Sequence, residues 1–173
     1  MIQELFPTPI YTHVPNFQEV FLIQDEIKKA LPKIKEVDTF EKPPGWEDEI
    51  QTNINFRWNT ILDYDLKNLY TYIEKHTQLY VKSCNPFLQH DLVMHAAWVN
   101  ITNKGQSQEW HTHTDSYISG CYYFQTNGED GRIGFKNPVP FARNGLFPAG
   151  QRTLEKEWFT PTPGTLILFP GWL

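Results

Sequence analysis

The feature that most limits the fold of this chain is a change in hydrophobic spacing near residue 90. Before it, apolar residues recur at helical intervals; after it, they alternate as strands do. Phe17, Val20, Phe21, Ile27 and Leu31 fall on one helical face. Asn16 stands where an N-cap belongs, with Glu19 three residues on as its capping-box partner. Pro32 is expected to stop that helix, because proline removes a backbone donor and clashes with the preceding turn. A second helix is expected from about Asp65 to Ser83, with Leu66, Leu69, Tyr70, Ile73, Tyr80 and Cys84 along one face and Asn85-Pro86 ending it. The stretch 36–60, with Pro43-Pro44-Gly45, reads as a loop-rich connection. Phe6 to Tyr11 is interrupted by prolines and reads as an edge strand or extended lead-in.

From Leu92 to Thr102 runs a long β-type segment. Met94, Ala96, Trp98 and Asn100 lie on one face, and Val93, His95, Ala97, Val99 and Ile101 on the other. Tyr117 to Thr126 is a further strand, followed by the turn-rich Asn127-Gly128-Glu129-Asp130-Gly131, so Arg132 to Lys136 is expected to pair back onto it. Leu154 to Phe159 and Thr165 to Phe169 are two more, the last launched from Pro163-Gly164. Helices followed by strands imply an α+β, mainly β fold, the helices on one side of a sandwich or barrel. The expectation is one domain over residues 1–173, helical in 1–90 and β in 91–173.

Composition narrows the function classes. Aromatic residues make up 15% of the chain, including six Trp and twelve Phe, which suits a β-rich core or a ligand cavity. Net charge is −5, and Lys and Arg form no long run, so no nucleic-acid footprint is evident. Cys84 and Cys121 stand alone, as buried thiols of a reducing compartment do. The N-terminus has no basic leader, and no stretch is apolar for the length a membrane span needs. A cytoplasmic protein is the expectation.

Among six histidines, only His111 and His113 are close in the chain, and Asp115 follows at the same interval. Alternate residues of a strand share a face, with Cα atoms about 6.6 Å apart, and two such side chains can converge on one ion. Three in a row cannot on a straight strand, so the chain must choose a pair or bend at Thr114. Two imidazoles and a carboxylate form the facial triad of non-haem iron oxygenases, which leaves coordination positions open. A polar strand end facing water is the competing explanation of the motif.

Larger pieces point the same way. Trp98-Val99-Asn100-Ile101, Gly105, His111-Thr112-His113 and Ser119-Gly120-Cys121-Tyr122-Tyr123 follow one another in order. Gly131-Arg132-Ile133-Gly134-Phe135, Asn137-Pro138 and the run from Pro163 to Leu173 continue the pattern, and Phe6-Pro7-Thr8-Pro9-Ile10 opens it. In this order and spacing the chain resembles a family of 2-oxoglutarate/iron(II) oxygenases of phage and marine bacterial type. The resemblance implies a double-stranded β-helix, a cupin-like jelly roll, behind N-terminal helices. It also implies Fe(II) chelated by 2-oxoglutarate, and a dioxygenase that hydroxylates a small-molecule or peptide substrate.

By that resemblance His111 and His113 match the family's paired histidines, and Asp115 matches the superfamily's His-x-Asp rule. His113 is a ligand under either pairing; His111 and Asp115 compete for the second place. Asn100, with Trp98, is a candidate to line the cavity, core packing and turn capping being the alternative. One of Tyr122 and Tyr123 would face the interior and bind a cosubstrate carboxylate. In the family the Phe-Pro-x-Trp-Leu element leads into a distal metal-binding His and then an Arg for 2-oxoglutarate. No His follows His113 here, so a truncated chain lacking its closing strand is expected, with both residues beyond Leu173. Arg143 and Arg152 are conceivable substitutes for the clamp, and an unclosed sheet edge would favour a homodimer. A non-catalytic metal- or ligand-binding barrel and an inactive homologue are the competing functions.

Overall fold

The computed structural model describes residues 8–87, 91–129, 131–138 and 155–173. Phe6, Pro7, Asp130, Arg143, Arg152 and Leu154, which figure in the expectations above, lie outside them.

After a short strand β1 (Tyr11–His13), helix α1 spans Phe17–Val37. Its capping box forms as the sequence requires: the Asn16 side chain accepts from the Glu19 N–H at 3.0 Å, and Glu19 answers to the Asn16 backbone. Pro32 does not stop it. The helix continues for five residues beyond, and Ile34 at 1% exposure is among its most buried side chains. Burial beyond the proline thus outweighs the roughly 3 kcal/mol that an interior proline costs. The supposed connection at 36–60 contains β2 (Gln51–Thr52) and begins a short helix α2 (Thr60–Asp63) capped by the Asn59 side chain. Helix α3 spans Lys67–Cys84 and buries Leu69, Tyr72, His76, Tyr80 and Val81, so polar Tyr72 and His76 replace Tyr70 and Cys84 on the inward face.

Few of residues 92–102 pair as the expected long strand. Only β3 (Asn100–Ile101) joins a ladder, with β2, and Ala97 makes an isolated bridge to Asn59. The remainder is tied down by side chains. Asn53 accepts from the Val99 N–H at 2.8 Å and donates to Asp38 and Thr60. Asp38, whose side chain is fully buried, also takes a bidentate pair of bonds from Arg57 and one from the Tyr64 hydroxyl. Although burial opposes the charge, these donors together hold its carboxyl below the usual range.

Strands β4 (Ile118–Tyr122), β5 (Ile133–Lys136), β6 (Lys156–Phe159) and β7 (Leu166–Pro170) complete the fold. The pairing differs from the hairpin expected after β4. β5 pairs with β6, while β4 pairs with β7 in a sheet of order β1-β7-β4, all antiparallel. Alternation along β7 divides the core. Leu166 and Leu168 pack with Ile23, Ile27, Leu69 and Tyr80 on the helical side, whereas Ile167 and Phe169 meet Phe135 of the β5–β6 hairpin. The described residues thus form an α+β arrangement of helices, a central sheet and a hairpin behind it. Among them no helix is long and apolar enough to cross a membrane.

The helix–sheet layer holds an unusual polar cluster. His76, 3% exposed, is bonded through Nδ1 to the Tyr11 hydroxyl at 2.6 Å and stacks on His13 at 4.0 Å, while its buried Nε2 has no partner among the described residues. His13 in turn bonds Tyr72 at 2.7 Å. Burial, then the charge of His13 and of Lys75, lowers the His76 pKa to about 4, against a smaller opposing effect of Glu19. An unfolded histidine titrates near 6.5, so the folded state binds the proton less readily than the unfolded state. Stability from this group is therefore complete above about 6.5 and is lost as pH falls towards about 4. The thermal midpoint should drop across that window, and His76→Phe should flatten the drop. An unchanged slope would show that His76 is not its source and would point to His113, the other histidine whose pKa burial lowers, since the Asp38 carboxyl titrates in a lower window.

Candidate metal centre

The approach to the two histidines is fixed from both sides. Asn103 to Gln106 forms a turn around Gly105 (φ 87°), closed by the Gln106 N–H to the Asn103 carbonyl at 3.1 Å. Gln106 donates to the Glu49 carbonyl, Ser107 to Asp48 through both N–H and hydroxyl, and the Glu47 N–H donates to Glu109. The bonds from Ser107 lower the Asp48 pKa, and the bond from Glu47 lowers that of Glu109. On the other side, the Trp110 indole crosses that of Trp158 edge-on at 5.4 Å above Gly134.

His111 is exposed, with Nδ1 2.8 Å from the Glu109 carbonyl. A carbonyl only accepts, so the neutral ring carries its proton on Nδ1 and leaves Nε2 with a free lone pair. This is how a backbone carbonyl orients a metal-ligating imidazole. His113 is half-buried. Its N–H donates to the Gly171 carbonyl at 2.6 Å, and its ring lies near Phe169 (6.1 Å) and Trp98 (6.4 Å). The two imidazoles stand 4.8 Å apart at 74°. The His113 Nδ1 is buried with no partner among the described residues, and burial, reinforced by His111, lowers the ring's pKa. A neutral, orphaned imidazole nitrogen beside a second oriented one is the donor chemistry of a site for a divalent transition metal.

The chain bends after His113, one of the two alternatives the spacing left open. Thr114 and Asp115 form a turn closed by the Ser116 N–H on the His113 carbonyl at 3.1 Å, and Asp115 lies exposed on it. Of the three proposed ligands, the structure brings together the rings of His111 and His113. Among the described residues no set of three His, Cys, Asp or Glu is grouped to hold an ion. His95 packs edge-on against Trp58 at 4.8 Å. Asn100 is exposed on β3. Tyr122 turns to the helices, beside Tyr72, with its hydroxyl buried. Tyr123 turns the opposite way, to the Phe169 face that His113 also touches, and burial raises its pKa. Sequence reasoning gave no role to Gly171 or Phe169. A glycine directly after the Leu-Phe-Pro end of a buried strand was the available signal for close backbone approach.

An α+β chain that sets two imidazoles against an antiparallel sheet defines a candidate non-haem metal protein. Residues 96–173 match the family model described as "Putative 2OG-Fe(II) oxygenase", so this β-rich part of the chain is similar to that family, and an oxygenase function is supported. No curated protein matches the chain.

Proposed function

We propose that the chain is an Fe(II)/2-oxoglutarate-dependent dioxygenase, a hydroxylase, with His111 and His113 as the two imidazole ligands. The observation that carries this reading is the buried Nδ1 of His113, without a partner among the described residues, beside the oriented His111 ring and within the matched residues. On this reading β1, β4 and β7 belong to one sheet of a double-stranded β-helix. Iron with 2-oxoglutarate would supply oxygen activation and oxidation of a substrate C–H bond. The chain's own share is positioning: the Gly171 carbonyl fixes the His113 backbone, Phe169 and Trp98 flank its ring, and the Glu109 carbonyl sets the His111 tautomer. Tyr123, kept protonated by burial, is the tyrosine on the side suited to a cosubstrate carboxylate.

Anaerobic addition of Fe(II) followed by 2-oxoglutarate should raise a visible charge-transfer band, and Tyr123→Phe should need more 2-oxoglutarate to develop it. Iron binding without the band would favour the non-catalytic metal-binding barrel, for which the pair of donors alone suffices. Absence of iron binding would defeat both.

A further inference from the structure

The face of the β5–β6 hairpin turned away from the sheet gathers three cations and two tryptophans. Register sets Gly134 opposite Trp158 and Lys136 opposite Lys156, while Ile133, Phe135 and Phe159 point into the core. The Lys136 and Lys156 ammonium groups lie 4.8 and 5.0 Å from the centre of the Trp110 ring, and the Arg132 guanidinium lies 5.1 Å from that of Trp158. Gly134 makes room for this: a Cβ there would meet both indoles at 2.8 Å. We propose that this face binds single-stranded nucleic acid, the cations taking phosphates and the indoles taking bases.

Charge complementarity carries the argument. Like charges directly opposite on neighbouring strands destabilise a ladder. Trp110 offsets part of that repulsion through its ring face, yet among the described residues none of the three cations is ion-paired. An anion laid across the hairpin would remove the repulsion. The indoles decide which anion. Trp110 and Trp158 remain 41% and 45% exposed, and flat aromatic surface beside cations is what unpaired bases and their phosphates use together. An acidic peptide would neutralise the cations but leave the indoles with nothing to stack on. Because the three residues are dispersed in the chain, no basic run announces them. Trp110 directly precedes His111, so a bound strand would pass beside the imidazole pair. Binding needs no metal and stands apart from the oxygenase reading.

The test is fluorescence anisotropy of a labelled oligothymidylate with metal-free protein across a salt series. Three phosphate contacts at about −0.7 each predict a log–log salt slope of about −2. Lys136→Glu/Lys156→Glu should weaken binding by about tenfold or more and flatten that slope, and Trp158→Phe should weaken it by about fivefold with the slope kept. Should the double reversal fail to give the parent circular dichroism, the single changes Lys136→Gln and Lys156→Gln should each lower the slope by about 0.7. The proposal is overturned by absence of binding at low salt, by affinity indifferent to these variants, or by polyglutamate competing as well as the oligonucleotide.

Discussion

Replacing His113 with Ala should abolish iron(II) binding while leaving the fold in place. The separation of the two effects follows from how His113 is held. Its tie to the sheet is a main-chain bond to the Gly171 carbonyl, which alanine keeps, whereas the ring contributes the orphaned Nδ1 and contacts with Phe169 and Trp98. Losing a partner that merely orients a ligand typically costs 10–100-fold in metal affinity, so loss of the ligand itself should exceed about 100-fold. His111→Ala should weaken binding strongly as well, because its Nε2 is the second available donor. Asp115→Asn is the discriminating change. Asp115 sits exposed on the turn that follows, and its amide should leave iron affinity within about twofold of the parent if the imidazole pair is the site. Calorimetric titration of the three variants gives the ranking. An Asp115 effect as large as that of His113 would reverse the assignment and restore the His-x-Asp pairing.

What could be read from the residues was local. Asn16 and Glu19 announced the start of α1, and the Pro163-Gly164 turn announced the start of β7. What failed was non-local. Asn127-Gly128 looks like a hairpin turn, yet the Asn127 side chain accepts from the Glu129 N–H within its own loop, and β4 pairs instead with β7. Turn chemistry competes with sheet closure, and the closure decides because it buries Ile167 and Leu168 at 1% and 3% exposure. The stretch 92–102 alternates as a strand would, but Asn53, held by the buried Asp38, satisfies Val99 with a side chain in place of a neighbouring strand. The metal site divides in the same way. Interval alone left open a pair or a bend at Thr114; the chain does turn at Thr114–Asp115, and Asp115 is left exposed on that turn. Nothing in the interval could show that the Glu109 carbonyl orients one ring or that Gly171 fixes the backbone of the other. The cations around Trp110 and Trp158 come together only through the β5–β6 register, which is a property of the pairing and not of any segment.

Gly171→Ala should be among the most damaging single changes, to stability and to iron binding together. A Cβ at this position would collide with the Ser116 carbonyl oxygen and lie 2.6 Å from that of His113. Both obstacles are backbone, and both belong to the turn that carries Thr114 and Asp115. The turn cannot yield by rotating a side chain; it must move away from β7. Moving it breaks the His113 N–H bond to Gly171 and the Gly171 N–H bond to Tyr117, at 2.6 and 3.1 Å, and carries His113 off Phe169. Overpacking with loss of buried backbone bonds should cost roughly 3–5 kcal/mol. For a chain of this size that is a fall in thermal midpoint of roughly 10 °C. Gly105→Ala is the control that separates crowding from backbone strain. Gly105 has φ 87° but nothing within 4 Å of its missing Cβ, so alanine there should cost only about 1 kcal/mol. Iron affinity should fall in the Gly171 variant even at temperatures where it remains folded, and should stay near the parent value in the Gly105 variant. Equal effects from the two would mean that close approach at Gly171 does not position His113.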